Sequence, residues 1–89
     1  MKDVQSEVKS VLELMDAILD DSSVPRNIRA AVEASKEKVS HIPEDHSVNL
    51  SSAIYLLDDV SNDINMPSHT RTEIWSIISA LEAIKEKIK

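Results

Sequence analysis

Residues 20–29 read DDSSVPRNIR, and residues 62–71 read NDINMPSHTR. Pro25 in the first stretch corresponds to Pro67 in the second, 42 positions later. An arginine follows each proline by four residues, so Arg29 and Arg71 are also 42 positions apart. A turn that recurs at a fixed separation is typical of a chain built from a repeated supersecondary unit. The two stretches therefore predict an αα-hairpin that is used twice.

The offset of 42 also relates apolar positions on both sides of the turns. Identical or similar residues recur in the segments before and after each proline, so the repeat is not confined to the turn. The matched apolar pairs are Met15 with Leu57, Ile18 with Val60, Val32 with Ile74, and Val39 with Leu81. We therefore expect both hairpins to bury equivalent faces.

Apolar residues at intervals of three and four positions predict four amphipathic helices. The first runs from about residue 3 to residue 19, and the second carries its apolar stripe from Ile28 to Ile42, where Pro43 ends it. After a break at residues 41–49, the third stripe resumes at Leu50, and the fourth continues to Ile88. The predicted hairpins span residues 3–42 and 48–89 of one domain. No segment alternates polar and apolar residues with the period of a strand.

The predicted fold is all-α, an antiparallel up-and-down four-helix bundle made of the two hairpins. The alternative is a short HEAT-like helical stack, because a repeat of 42 residues lies in the range of such units. Closing the hairpins against each other buries both apolar stripes more completely, and this favours the bundle. In a bundle the two proline turns lie at the same end.

The residues around each proline predict how the turns are held. Ser23 and Asn65 correspond under the offset, and both residue types are good helix N-caps. The prolines then fall in the first helical turn, where a missing N–H costs little. Asp21 and Asp63 precede the turns, so we expect each to pair with an arginine of its own turn or of the other hairpin.

The composition excludes several classes of function. The chain has 89 residues, a formal charge of −6, no glycine and no cysteine. Without glycine, the phosphate-binding loops of nucleotide-binding proteins and the EF-hand calcium loop are excluded in their usual form. An acidic chain repels nucleic acid on average. The absence of cysteine is compatible with a reducing cytoplasm, and the sequence predicts a cytoplasmic protein without a membrane span.

Possible metal or catalytic residues are few. Four candidate ligands crowd the predicted connector, namely His41, Glu44, Asp45 and His46, and a polar surface loop explains them more simply. His69 and Glu73 share a helical face, as a surface pair often does. No serine lies in a recognisable catalytic arrangement. We therefore predict no enzymatic activity, no catalytic residue, no metal and no cofactor.

Positive charge concentrates at one predicted end of the bundle. We name this end the turn pole and define it as residues 20–29 and 62–71. Its candidate binding residues are Arg26, Asn27, Arg29, His69 and Arg71, and Trp75 lies further along the last helix. A capped turn cluster is the simpler interpretation. Trp75 replaces Glu33 under the offset, so it is either a core residue or an interface anchor.

VPRNIRAA, residues 24–31, and MPSHTRTEIW, residues 66–75, resemble a small archaeal family of uncharacterised proteins in the UPF series. The resemblance covers nearly the whole chain. One departure is Ile64, where the family's pattern has a second proline. The resemblance implies a compact up-and-down four-helix fold. It implies no activity, cofactor or catalytic residue.

The sequence thus predicts a non-enzymatic interaction module or small adaptor that binds another protein or a second copy of itself. The alternative is an RNA- or ribosome-associated factor that uses Arg26, Arg29 and Arg71. Binding that weakens with salt and is lost on reversing those charges would favour RNA.

Overall fold

Four α-helices account for most of the chain in a computed structural model that describes residues 2–88, with side chains from residue 4 onward. Helix α1 spans Lys2–Leu19, α2 spans Arg26–Ser40, α3 spans His46–Val60 and α4 spans Ser68–Lys87. A 3₁₀ turn at Ile42–Glu44 joins the hairpins. No strand occurs between residues 2 and 88.

Helix α3 begins earlier than the apolar stripe predicted. Its first residue is His46, inside the predicted break, because the carboxylate of Asp45 accepts a hydrogen bond from the Val48 backbone N–H at 3.2 Å. The side chain of Asp45 thus caps the helix five residues before its first buried position, Leu50. The connector is correspondingly shorter than predicted.

The helices form a closed ring in which each packs against two neighbours. Helix α1 contacts α2 and α4, and α3 contacts the same two helices. Among the described residues, α1 does not pack on α3, and α2 does not pack on α4. A HEAT-like stack would bring those diagonal pairs together, so the predicted four-helix bundle is confirmed and the alternative is wrong. The long dimension of 36 Å follows the helix axes.

The core includes the apolar residues that the offset of 42 predicted to be buried in both hairpins. Both members of each apolar pair matched in the sequence are buried. The proline turns contribute as well, since Val24 and Met66 are also buried and correspond under the offset. One apolar side chain is therefore inserted from each turn into the same end of the bundle.

Among residues 4–88, two polar side chains are fully buried in this core, and each replaces an isoleucine of the other hairpin. Ser35 corresponds to Ile77, and its hydroxyl donates to the Ala53 carbonyl at 3.0 Å, tying α2 to α3. Thr70 corresponds to Ile28, and its hydroxyl oxygen has no hydrogen-bond partner. The core is thus symmetric in position but not in polarity.

None of the described helices combines the length and the apolar character that crossing a membrane requires.

Candidate functional site

Aspartate side chains hold the two proline turns. Asp21 Oδ1 accepts the Ser23 backbone N–H at 2.9 Å and the Ser23 hydroxyl at 2.6 Å. Asp63 Oδ1 accepts the backbone N–H of Asn65 at 2.8 Å. A carboxylate that bonds the N–H two residues ahead forms an Asx turn. Each turn is therefore closed by its aspartate.

The predicted caps are wrong. Helices α2 and α4 begin after Pro25 and Pro67, which occupy the N-cap positions, and no side chain caps either helix there. Ser23 and Asn65 lie two residues before the prolines, and their N–H groups are donors to aspartate. The Pro67 carbonyl accepts the first helical bond from the Arg71 backbone N–H at 3.0 Å, as the carbonyl of an N-cap residue ordinarily does.

The same two aspartates join the hairpins. The second oxygen of Asp21 lies 3.0 Å from His69 Nε2, and that of Asp63 accepts the Asn27 amide at 2.7 Å. Asn27 and His69 are related by the offset of 42, so the two bonds are symmetry equivalents. This reciprocal exchange places both proline turns at one end of the bundle, as predicted.

These bonds stabilise the ionised carboxylates. The Ser23 hydroxyl first, and then the His69 ring, lower the pKa of Asp21 from its ordinary value of 3.8 to about 2. For Asp63 the Asn65 backbone N–H is the main cause, followed by the Asn27 amide, and the pKa is again lowered. Both aspartates therefore act as acceptors in the turns, and neither is suited to be a general acid near neutral pH.

The arginines of the turn pole do not pair with aspartate carboxylates. Arg71 Nη2 donates to the Asp63 backbone carbonyl at 2.7 Å, and its Nε donates to the Ser61 carbonyl at 3.4 Å. The predicted Asp–Arg contact thus exists between Asp63 and Arg71, but the acceptor is the backbone carbonyl of Asp63 and not its carboxylate. Arg29 Nε is buried without a hydrogen-bond partner. The Asp21 carboxylate is already bonded by Ser23 and His69. That of Asp63 is bonded by Asn65 and Asn27, which leaves the backbone carbonyls as acceptors for the Arg71 guanidinium.

The turn pole therefore gathers five of the six candidate binding residues, although not as a free cationic surface. Arg29 and Arg71 are half-buried, and Arg26 is exposed. Asn27 and His69 bond the aspartates of the opposite hairpin. Trp75 lies seven residues into α4, about 10 Å along the helix from its start, so it belongs to a different surface.

Three of the four candidate ligands of the connector serve structural contacts, and the fourth, His46, is the exposed first residue of α3. His41 Nδ1 contacts the Glu44 carboxylate, and the His41 carbonyl accepts the Asn49 amide at 2.6 Å. Asp45 is the cap of α3. Among the residues that the structure describes, no three histidine, cysteine, aspartate or glutamate side chains are placed to hold a metal ion.

Exposed apolar side chains lie mainly on the second hairpin. Trp75 is 56% exposed, so it is not a core residue, and Tyr55 is 69% exposed. The offset pairs them with Glu33 and Glu13, both exposed on the first hairpin. Two more exposed apolar residues, Val48 and Ile64, correspond to Ser6 and Ser22. The hairpins thus match in their buried faces and differ in their outer faces.

A shallow groove of about 560 Å³ runs between α3 and α4 on this outer face. Ile54 and Tyr55 line it from α3. Its charged lining residues are Asp58, Glu82, Lys85 and Glu86. Ile78 lies about one turn before Glu82, and Trp75 about two turns before it, on the same side of α4. The tryptophan therefore extends the groove toward the turn pole. We name the surface of Ile54, Tyr55, Trp75, Ile78 and the groove the hairpin-2 face.

Trp75 was a candidate binding residue from the sequence, and Tyr55 was not. The sequence does contain a signal for Tyr55, because the repeat pairs this aromatic residue with a glutamate, Glu13. Trp75 is paired with a glutamate, Glu33, in the same way. Comparing every exposed position across the repeat would have found both.

Comparison with known proteins adds the family. The model of the uncharacterised protein family UPF0147 matches residues 1–84. The UPF0147 protein MJ1419 of Methanocaldococcus jannaschii is 53% identical over 78 residues, which cover 88% of this chain and 84% of the relative. A relative from Pyrococcus abyssi is 38% identical over 86 residues, covering 96% of this chain and all of the relative (100%).

A solved structure shares the architecture. The crystal structure of a UPF0147 protein from Thermoplasma acidophilum superposes with a TM-score of 0.87 at 34% identity, over 94% of this chain and 99% of that one. The predicted resemblance to a small archaeal family of uncharacterised proteins is therefore confirmed, and the chain belongs to the UPF0147 family.

Proposed function

We propose that this protein is a non-enzymatic interaction module that binds another protein through its hairpin-2 face. The observation that carries the proposal is the asymmetry of the repeat. At two equivalent outer positions the first hairpin has Glu13 and Glu33, and the second has Tyr55 and Trp75. Both aromatic side chains are mostly exposed. The fold does not need an aromatic residue at either position, since the first hairpin has glutamate at both. Contact with a partner best explains why only the second hairpin has aromatic residues there.

The residue types support this assignment. Tryptophan and tyrosine are the commonest energetic anchors of protein interfaces, since they bury a large area and lose little conformational entropy. They are the only aromatic residues of the chain, counting phenylalanine, tryptophan and tyrosine. The half-buried side chains of Ile54 and Ile78 continue the apolar surface between them.

RNA binding at the turn pole is the second candidate and has less support. The guanidinium of Arg71 is engaged by two backbone carbonyls, and the aspartates at positions 21 and 63 keep negative charge at that end. Arg26 is exposed and would be the main contact for phosphate. The proposed site of action for either function is the cytoplasm, as the sequence predicts.

Site-specific photo-crosslinking tests the proposal. Benzoylphenylalanine replaces Tyr55 in one recombinant protein and Glu13, its repeat counterpart, in a matched control, and each is irradiated in extract of the source cells. We expect a protein crosslinked at position 55 and not at position 13, and mass spectrometry identifies it. Equal crosslinking at both positions would refute the assignment. Recovery of RNA with wild-type protein, lost on Arg26→Glu, would support the second candidate.

A further inference from the structure

The charges around the hairpin-2 face select its partner, and this inference rests on the proposed function. We propose that the occupant is an amphipathic helix of another protein that carries lysine or arginine beside its apolar stripe. The acidic residues Asp58, Glu82 and Glu86 line the groove, and Lys85 is the one basic residue in its described lining. A basic helix is complementary to this rim in charge.

The shape of the face suits a helix. Two antiparallel helices, α3 and α4, form the walls, and apolar side chains lie between them. From Trp75 to Glu86 the face extends eleven residues along α4, about 16 Å, which equals three turns of a docked helix. Helix-in-groove recognition uses apolar anchors at positions i, i+3, i+4 and i+7, and such anchors would contact Tyr55 and Trp75.

The same charges disfavour other occupants. In a two-fold dimer through this face, each acidic rim would lie against its own copy, and like charges would oppose each other. Nucleic acid and anionic lipid surfaces are repelled for the same reason. A basic protein segment satisfies both the apolar centre and the acidic rim.

Peptide binding tests the inference. The probe is a fluorescein-labelled Leu/Lys peptide of about 18 residues, roughly 27 Å long when helical, with leucines on one face. A Leu/Glu peptide with the same pattern and a scrambled Leu/Lys peptide are the controls. Binding is followed by fluorescence anisotropy, and in wild-type protein also by the emission of Trp75, the single tryptophan. We expect saturable binding of the patterned Leu/Lys peptide, a blue shift of Trp75, and weaker binding at high salt.

Protein variants separate docking in the groove from general attraction to an acidic chain. The double variant Tyr55→Glu, Trp75→Glu adds negative charge, so non-specific binding would increase, whereas groove docking should weaken about 30-fold or more. The variant Glu82→Lys should weaken it about tenfold by reversing one rim charge. The matched control Glu13→Gln, Glu33→Gln alters the first hairpin and should bind as wild type does. Circular dichroism checks that each variant is helical.

Each outcome decides the inference. Equal binding of the Leu/Glu or scrambled peptide, or undiminished binding by the double variant, would overturn it. Sedimentation that shows a dimer of the wild type and a monomer of the double variant would also overturn it, because the occupant would then be a second copy. If no peptide binds while a cellular protein still crosslinks at position 55 and not at position 13, the basic-helix inference fails and the proposed function stands. If crosslinking at those positions is equal, the proposed function itself fails.

Discussion

Replacing Thr70 with valine should stabilise the protein. Thr70 is fully buried near the start of α4, and its hydroxyl oxygen has no hydrogen-bond partner. Leaving a buried polar group unsatisfied costs about 1–3 kcal/mol, and valine has the same shape without the hydroxyl. At the equivalent position the first hairpin has Ile28, also fully buried. We expect the free energy of unfolding to rise by about 1 kcal/mol.

Thermal denaturation followed by circular dichroism measures this change. For a chain of this size, 1 kcal/mol corresponds to a shift in Tm of about 4–8 °C. Thr70→Ser keeps the hydroxyl and removes the methyl group, so it should lower stability by about 1 kcal/mol. The control is Thr72→Val on the same helix, where the hydroxyl is exposed and donates to the Ser68 carbonyl at 3.2 Å, and its effect should be near zero. A lower Tm for Thr70→Val would refute the reasoning, since it would mean that the hydroxyl is satisfied in the folded protein.

Three further predictions concern the turn pole and the contact between α2 and α3. Arg71→Met should lower the free energy of unfolding by about 2 kcal/mol in urea titrations, because the Asp63 carbonyl loses a charged donor at 2.7 Å; an unchanged midpoint would remove the arginine from the structural account. Asp21 has a pKa lowered to about 2, so its stabilising effect is complete above 3.8 and is lost as pH falls toward 2. The Tm difference between wild type and Asp21→Asn should therefore shrink over that range, and a difference independent of pH would contradict the assignment. Ser35→Ala should cost about 1 kcal/mol by chemical denaturation, because the bond to the Ala53 carbonyl is buried; no cost would mean that the bond adds nothing.

The bundle was predictable because its determinants repeat along the chain. Helical periodicity defines the buried faces, and the offset of 42 shows that two hairpins bury equivalent faces. Helix starts were less predictable. A serine or asparagine near a proline is compatible with an N-cap, and the sequence does not show that Asp21 and Asp63 would bind those N–H groups first.

The contacts between hairpins could not be read from spacing. Asp21 has polar neighbours in its own turn and in the opposite turn, and only the packing of α1 against α4 places His69 3.0 Å from it. In contrast, the hairpin-2 face was partly predictable. The difference between Trp75 and Glu33 is visible in the sequence, but the exposure that distinguishes an anchor from a core residue depends on the rotation of α4 in the bundle.

The central claim is that the hairpin-2 face binds a partner. It is tested most directly by isothermal titration calorimetry with the purified protein that crosslinks at position 55. We predict that wild-type protein binds it and that the Tyr55→Glu, Trp75→Glu variant binds at least tenfold more weakly, while Glu13→Gln, Glu33→Gln is unaffected. Equal affinity for the wild type and the aromatic double variant would contradict the claim.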